Sequence, residues 1–258
     1  MSLTLLTLES ALKLILTPLL IALATLAVRR WGFLVGGVIT GLPLISGPVS
    51  LFLAIEQGPR FAGQGSRGML LGTVALSLFC VAFIRTAKDR RWLTPLIAGF
   101  VAYCFAAWGL SLFSFNPGTL ALLVPVLLSL ALKAAGPAAS SASVIAAPPW
   151  DIPIRMIAAA VMVLLITGFA QRLGPKWSGI LASFPIFTCI MGAFAQKQNG
   201  AASARMLIRG IIIGCFGGVS FFVVVGLAAE RASVAVTYLL ATTAAIAVNG
   251  LLAALTPR

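Results

Sequence analysis

Apolar runs of about twenty residues recur along the whole chain, separated only by short polar or basic breaks. Their length matches the roughly 20 residues a helix needs to cross a hydrocarbon layer of about 30 Å. The pattern predicts nine helical spans: Leu8 to Val28, Trp31 to Ile55, Gly68 to Ile84, Leu93 to Phe115, Leu120 to Ala135, Pro153 to Ala170, Gly174 to Ala195, Met206 to Ala228 and Val234 to Leu255. The longest break, from Gly136 to Trp150, is rich in Pro, Ala and Ser and is too short for a soluble domain.

The second feature of the pattern is that it occurs twice. An offset of 142 positions carries Pro43 onto Pro185, Gly37 onto Gly179, Gly58 onto Gly200 and Gly72 onto Gly214 with no gap. The same offset carries Arg67-Gly68 onto Arg209-Gly210, Glu9 onto Asp151 and Lys13 onto Arg155. Glycine, proline and charged landmarks in one ungapped register indicate an internal duplication. The expected fold is an all-α polytopic membrane protein of about nine transmembrane helices. It comprises a first four-helix repeat over 1–116, a linker helix and loop over 117–148, and a second four-helix repeat over 149–258. Four spans plus one linker span is an odd number, so the second copy is expected to be inverted, as in many secondary transporters.

Composition agrees with a lipid environment. Hydrophobic residues make up 60% of the chain and charged ones 9%, where a soluble domain carries about a quarter charged residues. The net charge of +13 would suggest nucleic acid in a soluble protein. Here the cations fall in interhelical breaks, where they meet lipid headgroups and mark the cytoplasmic side, so no nucleic-acid partner is expected. By this rule the C-terminus is expected on the cytoplasmic face of a bacterial inner membrane. The chain has no histidine, and its four cysteines lack metal-ligand spacing. With no histidine and only five acids, no catalytic centre, metal site or cofactor is expected.

The candidate chemistry sits where the spans are interrupted. Gly41, Pro43, Ser46 and Gly47 lie within the second span, and Ser183, Pro185 and Thr188 within the seventh. Proline removes a backbone donor and clashes with the preceding turn. Inside a membrane the freed groups need protein or water partners. Paired interruptions at matching places in two halves point to a transporter's central site; kinks that ease helix packing are the plainer alternative. A second set of candidates, for gating or coupling, is Glu9, Lys13, Glu56, Arg67, Asp151, Arg155 and Arg209. Glu9–Lys13 and Asp151–Arg155 are acid-before-base pairs at i and i+4, the favourable helical order. Interfacial anchoring would also account for these pairs and for the two arginines.

The stretch from Ser178 to Thr188 resembles the Gly-Leu-x-Pro-Leu-Phe-Pro-Thr-type segment of GlpM-like proteins, and Gly37 to Pro48 looks like a diverged version of it. The resemblance implies a fused duplication of a small bacterial inner-membrane protein of about four spans. It implies no substrate and carries over no functional residue. The function expected from the sequence is a secondary transporter or exporter of a small anionic or amphiphilic solute by alternating access. The alternative is a non-transporting membrane protein that binds lipid or scaffolds an envelope assembly. The expected partners are a small solute or lipid and the surrounding membrane lipids; the glycines do not decide whether the chain forms a homo-oligomer.

Overall fold

The computed structural model describes residues 3–44, 46–113, 115–136, 148, 150–170, 180 and 183–255; of the side chains in 3–14 and 162–170, and of Glu56, nothing is described. The described residues are helical, without a strand. In chain order the helices are α1 (Leu3–Gly41), α2 (Ser46–Glu56), α3 (Pro59–Thr86), α4 (Leu93–Ser111), α5 (Pro117–Ala134), α6 (Asp151–Ala170), α7 (Ile186–Asn199), α8 (Ala201–Ala228) and α9 (Val234–Leu255). Among the described residues, five segments are long and apolar enough to cross a membrane: Pro18–Ile55, Pro59–Thr86, Leu93–Ser111, Ala201–Ala228 and Val234–Ala254. The protein thus has the character of a multi-pass α-helical membrane protein.

Several boundaries differ from those expected. The first expected span and the first part of the second run together as α1, which is broken at Gly32 with φ 85 and ψ 174, and the rest of the second span is α2. Three polar or basic residues, Arg29, Arg30 and Trp31 with its ring nitrogen, precede that break and are exposed. The third and eighth spans begin at Pro59 and Ala201 rather than at Gly68 and Met206. Gly58 and Gly200 explain this. Their φ values of 91 and 86 let the chain turn sharply into the following helix, a conformation that costs little without a Cβ. Polar residues such as Gln64 and Arg67 sit in the first turns of α3 and conceal its start from a hydropathy reading.

Helices α3 and α8 form the centre of the bundle, and they run antiparallel. Arg205, near the start of α8, donates to the Ala87 carbonyl just past the end of α3. At the other end, a Cβ on Gly63 would lie 3.6 Å from Ala229. Of their most apolar windows, 72% and 56% of residues are buried, against 22% for α4 and α9. The outer helices turn large side chains such as Phe105, Trp108, Leu239 and Ile246 outward. Helix α5 packs on both central helices.

Close helix contact here depends on small residues, because lipid chains remove most of the hydrophobic drive for helices to associate. Gly37 and Gly41 of α1 face Gly210 and Gly214 of α8. A Cβ on Gly41 would collide with the Ile211 carbonyl oxygen and stand 2.9 Å from the Gly214 Cα. Further along, a Cβ on Gly47 of α2 would lie 3.4 Å from the Phe221 ring of α8. So α2 carries on beside α8 in the direction α1 was taking, and the interrupted segment does not turn back. The second interrupted segment does the same beside α3. A Cβ on Gly72 would lie 2.5 Å from Ser183 Cβ and 3.0 Å from the Ile180 oxygen. One on Gly192 would lie 3.2 Å from Ile208 and 3.2 Å from the Phe83 ring.

Candidate functional site

Both interruptions are built from the same local hydrogen bonds. Around Pro185 the Ile186 amide donates to the Phe184 carbonyl at 2.7 Å, and the Cys189 amide donates to the Pro185 carbonyl at 2.8 Å. Around Pro43 the Leu44 amide donates to the Leu42 carbonyl at 2.7 Å, and the Gly47 amide to the Pro43 carbonyl at 2.8 Å. The first bond of each pair spans two residues and closes a γ-turn. Pro185, at φ −76 and ψ 50, lies near the inverse form of that turn. Proline favours it because its ring holds φ near −65°. Each turn ends one helical stretch and, by its second bond, starts the next.

The two turns face one cavity of about 90 Å³. Its walls are Thr40 to Pro43 and Ser46 from one interruption, Ser183 to Thr188 from the other, Thr73 and Leu76 from α3, and Cys215, Gly218 and Phe222 from α8. Six of the residues singled out in the sequence therefore meet there: Gly41, Pro43, Ser46, Ser183, Pro185 and Thr188. Gly47 is buried one residue further on, against Phe221, and does not line the cavity. Thr73, Cys215, Gly218 and Phe222 were not among the expected residues. They sit inside uninterrupted helices, and the only mark in their sequence is a polar or small residue in an apolar run.

Surrounding aromatic and hydroxyl groups hold the turns in place. Tyr103 of α4 donates to the Ile180 carbonyl at 2.8 Å, and its ring meets Phe184 edge-on at 5.3 Å. Ser183 donates to the Met69 carbonyl of α3 at 3.1 Å. On the other side Ser50 of α2 lies 2.7 Å from the Tyr238 hydroxyl of α9, and Tyr238 stacks edge-on with Phe221.

The charged candidates lie elsewhere. Asp151 and Arg155 of α6 form a salt bridge of 2.9 Å, both buried. Arg29 of α1 reaches the other carboxylate oxygen at 3.0 Å, and Gln198 of α7 donates to the first at 2.7 Å. Arg155 also reaches Gln198 and lies 4.4 Å over the Phe194 ring. Sequence spacing gave the Asp151–Arg155 pair; Arg29 and Gln198 join it from other helices. Arg209 turns toward α5 and donates to the carbonyls of Leu132 and Gly136, helped by Arg85, which donates to Ala134 at 3.2 Å. These bonds satisfy carbonyls that the end of α5 leaves without helical partners. Arg67 is exposed. The side chains of Glu9, Lys13 and Glu56 lie outside the described residues. Among the described residues, no group of His, Cys, Asp and Glu is arranged to hold a metal ion.

Fold and cavity define the class as a multi-pass α-helical membrane protein with a cavity of mixed polar and apolar lining between two interrupted helices. The chain matches no family model, curated protein or solved structure.

Proposed function

We propose that the chain is a secondary transporter or exporter of a small solute, working by alternating access around this cavity. The observation that carries the proposal is the meeting of two like-built proline turns, 142 positions apart, on one cavity that also carries five hydroxyls. A site made by helix interruptions is where a membrane protein can expose backbone and hydroxyl groups to a solute without exposing them to lipid.

The same proposal includes a nine-span bundle whose halves, 1–116 and 149–258, are inverted copies on either side of a linker helix. Two observations support it. Helices α3 and α8 begin and end at positions that the offset equates, Pro59 with Ala201 and Thr86 with Ala228, yet run antiparallel. And Gly41 against Gly214 has its counterpart in Ser183 against Gly72. Rocking of one half against the other would open the cavity alternately to each side. Arg29, Arg85, Arg205 and Arg209 gather at one end of the bundle, which we take as the cytoplasmic face of a bacterial inner membrane. The halves would then be diverged GlpM-like units.

The test is uptake and efflux of small solutes by the purified full-length protein in proteoliposomes, with Pro43→Ala and Pro185→Ala compared in parallel. We expect flux that each change reduces at least tenfold. Flux that neither change alters sinks the central-site reading. Absence of flux, together with stable co-purification of a lipid, would replace it with lipid binding.

A further inference from the structure

The cavity presents unengaged hydroxyls beside carbonyls that are already engaged. Three of the five hydroxyls on its wall are bonded within their own helix or across to α3. Thr40 donates to the Gly36 carbonyl at 2.7 Å, Thr73 to Met69 at 2.9 Å and Ser183 to Met69 at 3.1 Å. The other two are Ser46 and Thr188, which the offset of 142 equates. Neither has a hydrogen-bond partner among the described residues, although Thr188 is only 3% exposed. Both residues line the cavity, where a ligand can reach their hydroxyls.

The carbonyls at the interruptions are in the opposite condition. Those of Ile39, Leu42 and Pro43 accept from Leu42, Leu44 and Gly47. Those of Ile180, Phe184 and Pro185 accept from Ser183, Ile186 and Cys189. A cation would have to break a turn to use any of these six carbonyls in place of its present donor, whereas an anion finds two hydroxyl donors already free. Ser46 and Thr188 also stand in the first turns of α2 and α7. Each helix start carries an effective charge of roughly +0.5 and the end of α1 at Gly41 roughly −0.5, so the balance at the cavity is positive and favours at most one negative charge. No lysine or arginine lines the cavity to offset a second. A space of about 90 Å³ has room for several waters, which suits a small solute.

We propose that Ser46 and Thr188 hold a small monovalent anion, such as a halide, nitrate or a short monocarboxylate, between the starts of α2 and α7. This rests on the reading of the cavity as the solute site, and names the class of solute.

Binding and transport can be read separately. Thermal unfolding of the purified full-length protein is followed in detergent with sodium chloride, nitrate, formate, sulfate or gluconate at constant ionic strength. Flux of the same anions is measured in proteoliposomes. We expect saturable stabilisation by the monovalent small anions only, with chloride and nitrate against formate separating inorganic from carboxylate ligands. The double change Ser46→Ala with Thr188→Val should weaken that binding at least tenfold. Thr243→Val, which removes a hydroxyl bonded within α9 away from the cavity, should leave it within about twofold. Stabilisation that is absent, that sulfate and gluconate produce equally, or that the double change leaves intact overturns the proposal. If the double variant does not fold, the unmodified protein's anion series decides on its own. Binding without flux upholds the anion site and removes the transport reading; flux of other solutes without anion binding does the reverse.

Discussion

Nε of Arg155 lies 2.9 Å from Oδ1 of Asp151, one turn apart on α6, and both side chains are buried. The pair is more than a local helix contact, because Arg29 and Gln198 bring α1 and α7 to the same carboxylate. It ties three helices together at one end of the bundle. Removing one partner of a buried pair leaves the other charge uncompensated, at a cost of about 3 kcal/mol or more. Asp151→Asn should therefore lower the unfolding temperature by several degrees, and Arg155→Met added to it should cost less than the two single changes together. A full double-mutant cycle of thermal unfolding checks this. Additive losses would show that the residues do not act as a pair.

The helix crossing at Gly41 and Gly214 gives a prediction of a different kind. The atoms that a new Cβ would meet there belong to backbone, which cannot swing aside as a side chain can. Gly41→Ala and Gly214→Ala should each destabilise by about 1–3 kcal/mol, the usual range for overpacking. Gly250 of α9 is exposed, and nothing lies within 4 Å of where its Cβ would be. There Gly250→Ala should be neutral or stabilise by up to about 1 kcal/mol, since alanine is the better helix former. Unfolding temperatures of the three variants settle the contrast.

What the sequence disclosed follows a physical boundary. Interruptions are local events, so Pro43 and Pro185 were visible as such, and the offset predicted that Ser46 and Thr188 would occupy equivalent places. The i and i+4 spacing likewise exposed Asp151 with Arg155. Contacts between helices leave no such trace. Arg209 reads as an interfacial cation, yet its guanidinium caps α5. Arg29 reads the same way, yet it completes the carboxylate cluster. Cys215 and Phe222 reach the cavity only because α8 passes it. Helix starts were misplaced where a glycine of positive φ, Gly58 or Gly200, lets a helix begin on polar residues.

Tyr103 links an outer helix to the second interruption through one hydrogen bond, to the Ile180 carbonyl. That carbonyl also accepts from the Ser183 amide at 3.1 Å, so Tyr103→Phe leaves no acceptor stranded. The loss should be about 1 kcal/mol, the net value of a neutral hydrogen bond. Hydrogen–deuterium exchange should rise around Ser183 to Thr188 and stay unchanged around Pro43, which α4 does not hold in this way. A uniform rise would assign Tyr103 a global role in place of a local one.

The proposed inverted arrangement has a direct consequence for which side of the membrane two equivalent residues would see. Arg60 and Ala202 are equated by the offset, stand at the starts of α3 and α8, and are both exposed. Because α3 and α8 run antiparallel, the two positions lie at opposite ends of the central pair. In a parallel duplication they would lie at the same end. Arg60→Cys and Ala202→Cys should thus react with a membrane-impermeant maleimide from opposite faces of the inner membrane. Labelling of each variant is compared in right-side-out and inverted vesicles, with the unmodified chain as background. The native cysteines should contribute little: Cys80, Cys189 and Cys215 are buried, and Cys104 is exposed on the lipid side of α4. We further expect Ala202→Cys to react from the cytoplasmic face, where Arg205 and Arg209 gather with Arg85. Reaction of both variants from one face would mean that the halves are not inverted, and a mechanism in which they rock around a shared cavity would then lose its symmetry.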